Sequence, residues 1–338
     1  MYSFVNDYSH LCHEKILEKM SECLSQAEPG YGYDCHCAVA KDRINQACAG
    51  LAGDIHFIPG GTQVNLVALS AFLRPHQAAL AATTAHIHDH EAGAIESRGH
   101  KIHLIATGDG KLSPALLDPV VQAHQAENTA QAKLVYISDT TELGGVYRKK
   151  ELEALSQYCR DRGLILYLDG ARLGSALTAR DNDLTLPDLA RLCDAFFIGG
   201  TKNGALLGEA LLIQKESLKE DFRPIMKQNG AILAKSFLMG LQFEVLFEDR
   251  LFFDLAAHAN HMAMHLAEGM EKKGVRFLQP PQSNQLFPIL RKEEIQRLRK
   301  DFLFEDWKEE GEDLASVRFV TSFMTQEEEV DALIAALS

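Results

Sequence analysis

The stretch Leu164-Ile165-Leu166-Tyr167-Leu168-Asp169-Gly170-Ala171-Arg172 decides the fold. Its five consecutive apolar residues predict a strand that is buried on both faces, which is typical of a parallel sheet covered by helices. Asp169 follows where this strand leaves the sheet, and a carboxylate there needs a cationic or hydrogen-bonding partner. The segment alone leaves two interpretations open: Asp169 holds the protonated ring nitrogen of a cofactor, or it caps the next helix.

The same pattern of short apolar runs separated by helical periodicity extends to both sides of this stretch. Helices are predicted at 62–73 and 150–162, and strands at 55–58, 78–82, 101–106, 133–138, 164–168, 195–198 and 210–213. Strands that alternate with helices form parallel sheets. We therefore predict an α/β fold with a mostly parallel seven-stranded sheet, and we expect its chemistry at the carboxyl ends of the strands.

The pattern changes from about Ala231, where a long helical stretch runs to Gly274. Short strands follow at 275–278, 285–290 and 316–320, and a final helix is predicted at 326–337. These elements predict a small α+β domain. We predict an N-terminal arm (residues 1–40) that packs with the small domain, a large domain (41–250) and a small C-terminal domain (251–338), with the boundary near Arg250.

Composition excludes several classes of partner. The 338 residues carry a net charge of −13, which disfavours binding to nucleic acid or to an anionic membrane. The chain shows neither a signal peptide nor the apolar run of about 20 residues that a membrane span requires, so we expect a cytoplasmic protein. Cys35-His36-Cys37 has an atypical spacing for zinc, and we interpret these cysteines as incidental reduced thiols.

Two more predicted strands end in residues that could carry chemistry. Gly199-Gly200-Thr201-Lys202 places one lysine in a glycine-flanked loop, where a Schiff-base lysine of lowered pKa could lie; an ordinary lysine would lie on a solvated helix face. Gly60-Gly61-Thr62 separates a strand from a helix, so the free N–H groups of the first helical turn and the Thr62 hydroxyl could hold a phosphate. A plain strand–turn–helix explains these glycines equally well.

The segment Thr84-Ala85-His86-Ile87-His88-Asp89-His90-Glu91 is dense in potential metal ligands. His86 and His90 share a face only if the segment is helical, whereas the preceding threonines suggest that the chain is just leaving a strand. We therefore expect no metal here. A flat imidazole that follows a strand is well suited to stacking on an aromatic cofactor ring.

Together these motifs carry a family resemblance. The order Gly-Gly-Thr, His-x₄-Glu, Asp-Gly-Ala-Arg-Leu and Thr-Lys resembles the threonine aldolase/β-eliminating lyase family of fold-type-I enzymes that use pyridoxal 5′-phosphate (PLP), and the resemblance runs from about Asn6 to the C-terminus. It implies that Lys202 attaches the cofactor, with Thr201 beside it, and that Asp169 pairs with its ring nitrogen. It also implies that residues 60–62 (Gly60, Gly61 and Thr62) hold its phosphate.

The resemblance also implies substrate contacts. His86 would stack on the ring and take part in proton transfer, and Glu91 would lie near the substrate hydroxyl or support His86. Arg172 would contact the cofactor phenolate or the substrate carboxylate. The segment Val317-Arg318-Phe319-Val320-Thr321-Ser322 looks like the small-domain strand of the family, whose arginine, here Arg318, binds the substrate carboxylate.

The chain departs from the family pattern at several positions. Asn6-Asp7-Tyr8 stands where the family has Ser-Asp-Thr, which implies that Asn6 replaces a serine contact to the substrate carboxylate. Thr201-Lys202-Asn203-Gly204-Ala205 replaces Ser-Lys-Gly-Leu-Gly. These changes resemble a divergent, phenylserine-aldolase-like branch. Tyr31-Gly32 matches a family segment close to the cofactor, which makes Tyr31 a further candidate for substrate binding.

The function that the resemblance implies is retro-aldol cleavage of a β-hydroxy-α-amino acid to glycine and an aldehyde. It also implies a homodimer or homotetramer with shared active sites, although the arm tyrosine could instead pack on its own subunit. Other PLP reactions on the same scaffold, such as β-elimination or transamination, use the same cofactor residues. A non-catalytic PLP-binding protein and a metal-dependent lyase built on His86 and Glu91 are the remaining alternatives.

Overall fold

The computed structural model describes all 338 residues. Its strands are β1 (Tyr2–Ser3), β2 (Asp54–Ile58), β3 (Gln77–Ala82), β4 (Lys101–Ile105), β5 (Gln131–Ser138), β6 (Ile165–Asp169), β7 (Ala195–Gly199), β8 (Glu209–Ile213), β9 (Arg276–Phe277), β10 (Gln285–Leu286), β11 (Pro288–Arg291), β12 (Phe302–Leu303), β13 (Glu305–Glu309) and β14 (Leu314–Val320).

The α-helices lie between these strands and on both sides of the central sheet. They are α1 (Glu14–Glu22), α2 (Cys35–Ala47), α3 (Gly61–Phe72), α4 (His86–Asp89), α5 (Pro114–Ala123), α6 (Lys149–Arg162), α7 (Leu173–Leu177), α8 (Leu186–Leu192), α9 (Phe222–Gln228), α10 (Phe237–Leu246), α11 (Leu251–Lys272), α12 (Lys292–Leu298) and α13 (Glu327–Ala336).

The central sheet has seven strands in the order β2-β8-β7-β6-β5-β3-β4. Only β8 runs antiparallel to its neighbours, whereas β3 to β7 pair in parallel. The predicted α/β fold with a mostly parallel seven-stranded sheet is confirmed. Because six strands point the same way, their carboxyl ends meet at one edge, and the amino end of β8 joins them there.

The apolar run before Asp169 is explained by the two faces of the sheet. Leu166 and Leu168 pack into the core on one face, and Ile165 and Tyr167 pack into the core on the other. Since every residue of β6 is buried, alternation of polar and apolar residues is absent from this strand.

A second, smaller sheet lies in the C-terminal part, in the order β10-β14-β11-β9 with β13 beside β14. Its core is completed by the N-terminal end of the chain, since β1 pairs with β12 and the buried Phe4 ring packs against Phe302 and Phe319. Residues 2–4 thus pack with the C-terminal part. Helix α2, in contrast, packs against α10.

The long helical stretch predicted from Ala231 is two helices. Asp249 and Arg250, with φ of 45° and 65°, separate α10 from α11. This break lies where we predicted the boundary between the domains, and the division into domains stays a prediction.

The polar strand β13 was not predicted from the sequence. No helix of the structure combines the length and the apolar character that crossing a membrane demands.

We predict that Gly170→Ala destabilises the protein, because β6 and β7 approach each other closely at this point. A Cβ atom at Gly170 would lie 1.9 Å from the Phe197 carbonyl oxygen. Overpacking of this kind costs about 1–3 kcal/mol. Thermal unfolding should show a melting temperature lower by several degrees. Gly108→Ala is the matched control, since a Cβ atom there meets nothing within 4 Å; equal melting temperatures for the two variants would contradict the prediction.

Candidate active site

A cavity of about 530 Å³ lies at the carboxyl ends of the parallel strands. Most of the residues singled out in the sequence line it: Gly60, Gly61, Thr62, His86, Glu91, Asp169, Arg172, Thr201, Lys202 and Arg318. Residues from the smaller sheet complete the wall. The cavity is therefore built where the two parts of the chain meet.

Asp169 is the most extensively bonded carboxylate of the cavity. Asp169 is only 5% exposed. Tyr136 donates its hydroxyl to Oδ2 at 2.5 Å, the Asn65 side-chain amide donates to the same oxygen at 3.0 Å, and the Ala171 backbone N–H donates to Oδ1 at 2.9 Å. These donors satisfy a buried anion and fix its orientation.

Asn65 lies between two buried carboxylates. Its Nδ2 donates to Glu91 Oε1 at 2.7 Å as well as to Asp169, and its Oδ1 accepts a hydrogen bond from the Tyr167 hydroxyl at 3.0 Å. Asn65 is 1% exposed, so no water competes for these bonds. The side-chain amide of Asn65 thus uses both of its N–H groups to hold the carboxyl groups of Glu91 and Asp169 side by side.

His86 begins the short helix α4, and its ring borders the cavity. Its Nδ1 lies 2.9 Å from Glu91 Oε1, and its backbone N–H donates to Glu142 at 2.9 Å. Burial raises the pKa of the Glu91 carboxyl, although hydrogen bonds from His86 and Asn65 oppose this shift. The pair combines a partly accessible imidazole with a buried carboxyl group, an arrangement that is suited to proton transfer. Contrary to the expectation of a segment just leaving a strand, His86–Asp89 form a helical turn, and the His86 and His90 rings lie 5.4 Å apart.

Lys202 lies in a loop that a buried acid holds in place. Glu209, at the start of β8, accepts hydrogen bonds from the Gly200 backbone N–H at 2.8 Å and from the Thr201 hydroxyl at 2.7 Å. Burial raises the pKa of Glu209 to about 7. Burial, followed by the charge of Arg172, lowers the pKa of the Lys202 amine. A lysine that is less basic than usual is a better nucleophile near neutral pH.

Arg172 is committed to a partner from the N-terminal segment. Its Nε and Nη2 donate to the two oxygens of Asp7 at 2.7 and 3.1 Å, and Asn284 donates to the same carboxylate at 2.9 Å. Burial alone would raise the pKa of Asp7, but the charges of Arg172 and Lys202 hold it below its usual value. The guanidinium edge that could bind a carboxylate is thus filled from within the chain.

Arg318 extends from β14 into the opposite wall of the cavity. Its Nη2 donates to Glu305 of β13, and its guanidinium lies 5.7 Å from the centre of the Trp307 ring. Its Nε is buried and has no hydrogen-bond partner. Arg318 as a residue lines the cavity. An arginine donor without an acceptor at a cavity wall is suited to an anionic group of a ligand.

The turn before α3 has the features of a phosphate site. No side chain caps this helix, so the N–H groups of its first turn stay free. A Cβ atom at Gly60 or Gly61 would meet nothing within 4 Å, which means that both glycines face open space at the cavity wall. The Thr62 hydroxyl adds a donor. An anion of phosphate size fits this arrangement of donors.

Two predicted site residues do not line the cavity of their own chain. Asn6 Oδ1 accepts hydrogen bonds from the Tyr8 backbone N–H at 3.0 Å and from the Ser9 hydroxyl at 2.8 Å, so this side chain closes a turn, and Tyr8 reaches the cavity instead. Tyr31 is 46% exposed, and the Lys227 amine lies 4.7 Å from the centre of its ring.

The cysteine cluster forms separate contacts. Cys35 donates its thiol to Glu28 at 3.1 Å, whereas Cys37 points to the Ser236 carbonyl. One potential ligand atom each of Glu28, Cys35 and His36 lies within 4.8 Å of the others. The Glu28–Cys35 hydrogen bond and the bond from His36 Nδ1 to Glu244 at 2.6 Å already occupy these groups.

Five residues hold the cavity side chains in place through hydrogen bonds but were not predicted from the sequence: Asp7, Asn65, Tyr136, Tyr167 and Glu209. A polar residue in an otherwise apolar helix face or strand was the available signal. Asn65 in α3 and Glu209 at the start of the buried β8 both fit this description. The partners of Asn65 come from distant parts of the chain, and those of Glu209 come from the preceding loop, so only the folded structure identifies their roles.

Comparisons with known proteins show which sequences and structures this chain resembles. The family described as β-eliminating lyase matches residues 12–329. A low specificity L-threonine aldolase from a Pseudomonas species is 32% identical over 98% of this chain and 95% of its own length. The structure of a Leishmania major threonine aldolase has a TM-score of 0.98 at 46% identity, covering 99% of this chain and 98% of that one. Thermus thermophilus aspartate aminotransferase, at 13% identity and a TM-score of 0.74, shares the fold.

Asn65→Leu should destabilise the protein more at pH 8 than at pH 5. The substitution removes a donor that lowers the pKa of Glu91, so this folded-state pKa rises further above its unfolded value. A carboxyl whose pKa is raised by folding loses stability as the pH rises from the unfolded value through the folded one. Urea unfolding of the two proteins at both pH values measures the difference.

The matched control is Ser70→Ala, also in α3, whose hydroxyl bonds only to the Leu66 carbonyl of its own helix. We expect its loss of stability to be the same at both pH values. A loss for Asn65→Leu that does not depend on pH would show that this amide has no influence on Glu91.

Proposed function

Since the chain belongs to the β-eliminating lyase family, whose members depend on PLP, we propose that it is an aldolase. It cleaves the Cα–Cβ bond of β-hydroxy-α-amino acids of the threonine type and releases glycine and an aldehyde. The curated relatives that share almost its full length are low specificity L-threonine aldolases, which supports this reaction over other PLP chemistry.

The donor set of the cavity fits PLP. The free N–H groups of the first turn of α3 and the Thr62 hydroxyl would hold the phosphate. Asp169 would hold the pyridine nitrogen, since its two oxygens are oriented by fixed donors. Lys202 would attach the cofactor through its amine, whose lowered pKa favours the nucleophilic form. When bound, PLP supplies an electron sink for the electron pair that remains on Cα after Cα–Cβ cleavage.

His86, oriented by Glu91, would accept the proton of the β-hydroxyl group. In a retro-aldol cleavage this hydroxyl loses its proton while the carbonyl of the aldehyde forms. An imidazole that borders the cavity and is oriented by a buried carboxylate suits this step, because its ring is within reach of a ligand and is held in one orientation.

Arg318 would bind the carboxylate of the amino acid. The free Nε of its guanidinium supports this role. Because a bound carboxylate fixes the orientation of the substrate, this contact would also influence which bond of Cα breaks. Arg172 would act indirectly, by holding Asp7 and by lowering the pKa of Lys202.

One observation carries the proposal: a lysine of lowered pKa, a buried and oriented aspartate, and a histidine–glutamate pair face one cavity at the carboxyl ends of parallel strands. Each member alone has a structural explanation. Their combination provides an attachment point, a partner for the ring nitrogen and a proton acceptor in one place.

Aldehyde release tests the function directly. The PLP-loaded enzyme should release acetaldehyde and glycine from L-threonine or L-allo-threonine, or benzaldehyde and glycine from phenylserine. Serine O-esters and cysteine, which are substrates for β-elimination, should react far more slowly. Faster pyruvate formation from these two compounds than aldehyde formation across the whole panel would contradict the aldolase assignment.

Lys202→Ala should remove both turnover and the visible absorbance of lysine-attached PLP. Borohydride reduction of the wild-type enzyme, followed by peptide mapping, should place the label on Lys202. Lys215→Ala is the control, because this lysine is bonded to Asp194 outside the cavity. Label on any other lysine would overturn the role of Lys202.

We also propose a cytoplasmic homodimer, or a larger homo-oligomer, in which neighbouring chains share their active sites. Seven free cysteines favour a reducing compartment. The exposed rings of Tyr31 and Tyr33 form a cluster with Arg223 and Lys227, which lie over them. Exposed tyrosines and arginines of this kind are enriched at protein interfaces. Tyr31 would then reach the cavity of the neighbouring chain rather than that of its own.

Sedimentation or light scattering should therefore give a mass of at least twice the 37.5 kDa of one chain. Tyr31→Ala should raise the KM for the amino acid in the oligomer, because the residue would contact substrate across the interface. A mass of one chain together with full activity at the same dilution would defeat this proposal.

A further inference from the structure

The two arginines of the cavity differ in how their donor edges are used. On each guanidinium, Nε and Nη2 form one edge that can bind both oxygens of a carboxylate. In Arg172 this edge is filled by both oxygens of the buried Asp7. In Arg318 only Nη2 has a partner, Glu305, whereas Nε has none. One of the two donors on this edge of Arg318 therefore has an acceptor and the other has none.

We propose that Glu305 competes with the carboxylate of the substrate for the Nε–Nη2 edge of Arg318, and that this competition sets the affinity of the enzyme for amino acids. The inference deepens the proposed function and rests on the role of Arg318 in it. Glu305 would thereby be an affinity-determining residue of the small sheet, since it lines the same cavity as Arg318.

The exposure of the two partners supports an exchangeable contact. The Glu305 side chain is 39% exposed, whereas that of Arg318 is 14% exposed. When Glu305 is displaced, its carboxylate can turn to water, so that displacement leaves no buried unpaired charge on the glutamate. Asp7, in contrast, is fully enclosed, and breaking its pair with Arg172 would strand two buried charges.

Geometry keeps Arg318 in position during such an exchange. The guanidinium lies 5.7 Å from the centre of the Trp307 ring, and that ring packs edge-on against Phe287 at 4.8 Å. A planar cation over an aromatic face is held by a contact that does not use its N–H groups. Arg318 can therefore change acceptors without changing its place.

The first experiment compares KM values for the amino acid. Ion pairs with a solvent-exposed member are weak, so Glu305→Gln should lower KM by about two- to five-fold, with a much smaller effect on kcat. Glu309→Gln is the matched control, since it removes the same charge from the same strand, but its partner Lys292 lies outside the cavity. Its KM should equal that of the wild type.

A rise of KM in Glu305→Gln would overturn the proposal, because it would mean that Glu305 orients Arg318 for substrate rather than competing with it. An unchanged KM would overturn it as well. Glu305→Ala, which removes the acceptor altogether, should lower KM at least as much as the glutamine variant; the opposite order of the two variants would count against competition.

The second experiment does not depend on turnover. Trp307 is the only tryptophan of the chain, so tryptophan emission reports on the surroundings of Arg318 alone. Titration of the PLP-loaded enzyme with acetate should change this emission, with a dissociation constant about two- to five-fold lower in Glu305→Gln than in the wild type. In Arg318→Gln the acetate response should disappear.

The two experiments separate failure of this inference from failure of the proposed function. Tighter acetate binding in Glu305→Gln without aldehyde release from any amino acid would leave the competition intact and refute the aldolase. Aldehyde release with equal acetate affinity in the wild type and Glu305→Gln would leave the aldolase intact and refute the competition.

Discussion

A buried carboxylate at the end of β6 is the constraint on which the rest of the site depends. A carboxyl group at that depth needs hydrogen-bond donors, and for Asp169 these are supplied by Tyr136, Asn65 and the Ala171 backbone. Asn65 then links Asp169 to Glu91, which in turn orients His86. One requirement for hydrogen bonds thus fixes the positions of groups from α3, β5, α4 and β6.

The remaining charged groups of the cavity differ in how firmly each is held by a partner. Arg172 and Asp7 are locked together, Arg318 is held by an exposed glutamate, and Lys202 has no carboxylate bonded to it. Such a distribution lets a ligand carboxylate or phosphate enter without breaking a buried ion pair. The chemistry of the site depends on which of its cationic side chains are available to bind a ligand.

The sequence predicted the central sheet and the residues that lie directly after its strands, because buried parallel strands and their polar ends are local patterns. Lys202 and Asp169 were found in this way. Asn65 and Glu209 were not found in this way. The partners of Asn65 lie 26 or more residues away, and those of Glu209 lie in the loop that carries Lys202, so their roles depend on how the chain folds. Strand β13 escaped prediction because its sequence, Glu305-Asp306-Trp307-Lys308-Glu309, is polar on both faces. The pairing of Arg172 with Asp7 depends on the path of the N-terminal arm, which no local pattern reveals.

The position of the N-terminal segment has a consequence for how the protein comes to be made. Tyr2 pairs with Phe302, Phe4 packs on Phe319, and Asp7 binds Arg172. During translation Tyr2 and Phe4 leave the ribosome long before their partners in the C-terminal part exist. The segment must therefore stay unpaired, with an apolar side chain in water, until residues 302–319 have been synthesised. The cavity, which Tyr8 also lines, is completed only after that point, and a chaperone that shields the N-terminal segment would act before this step.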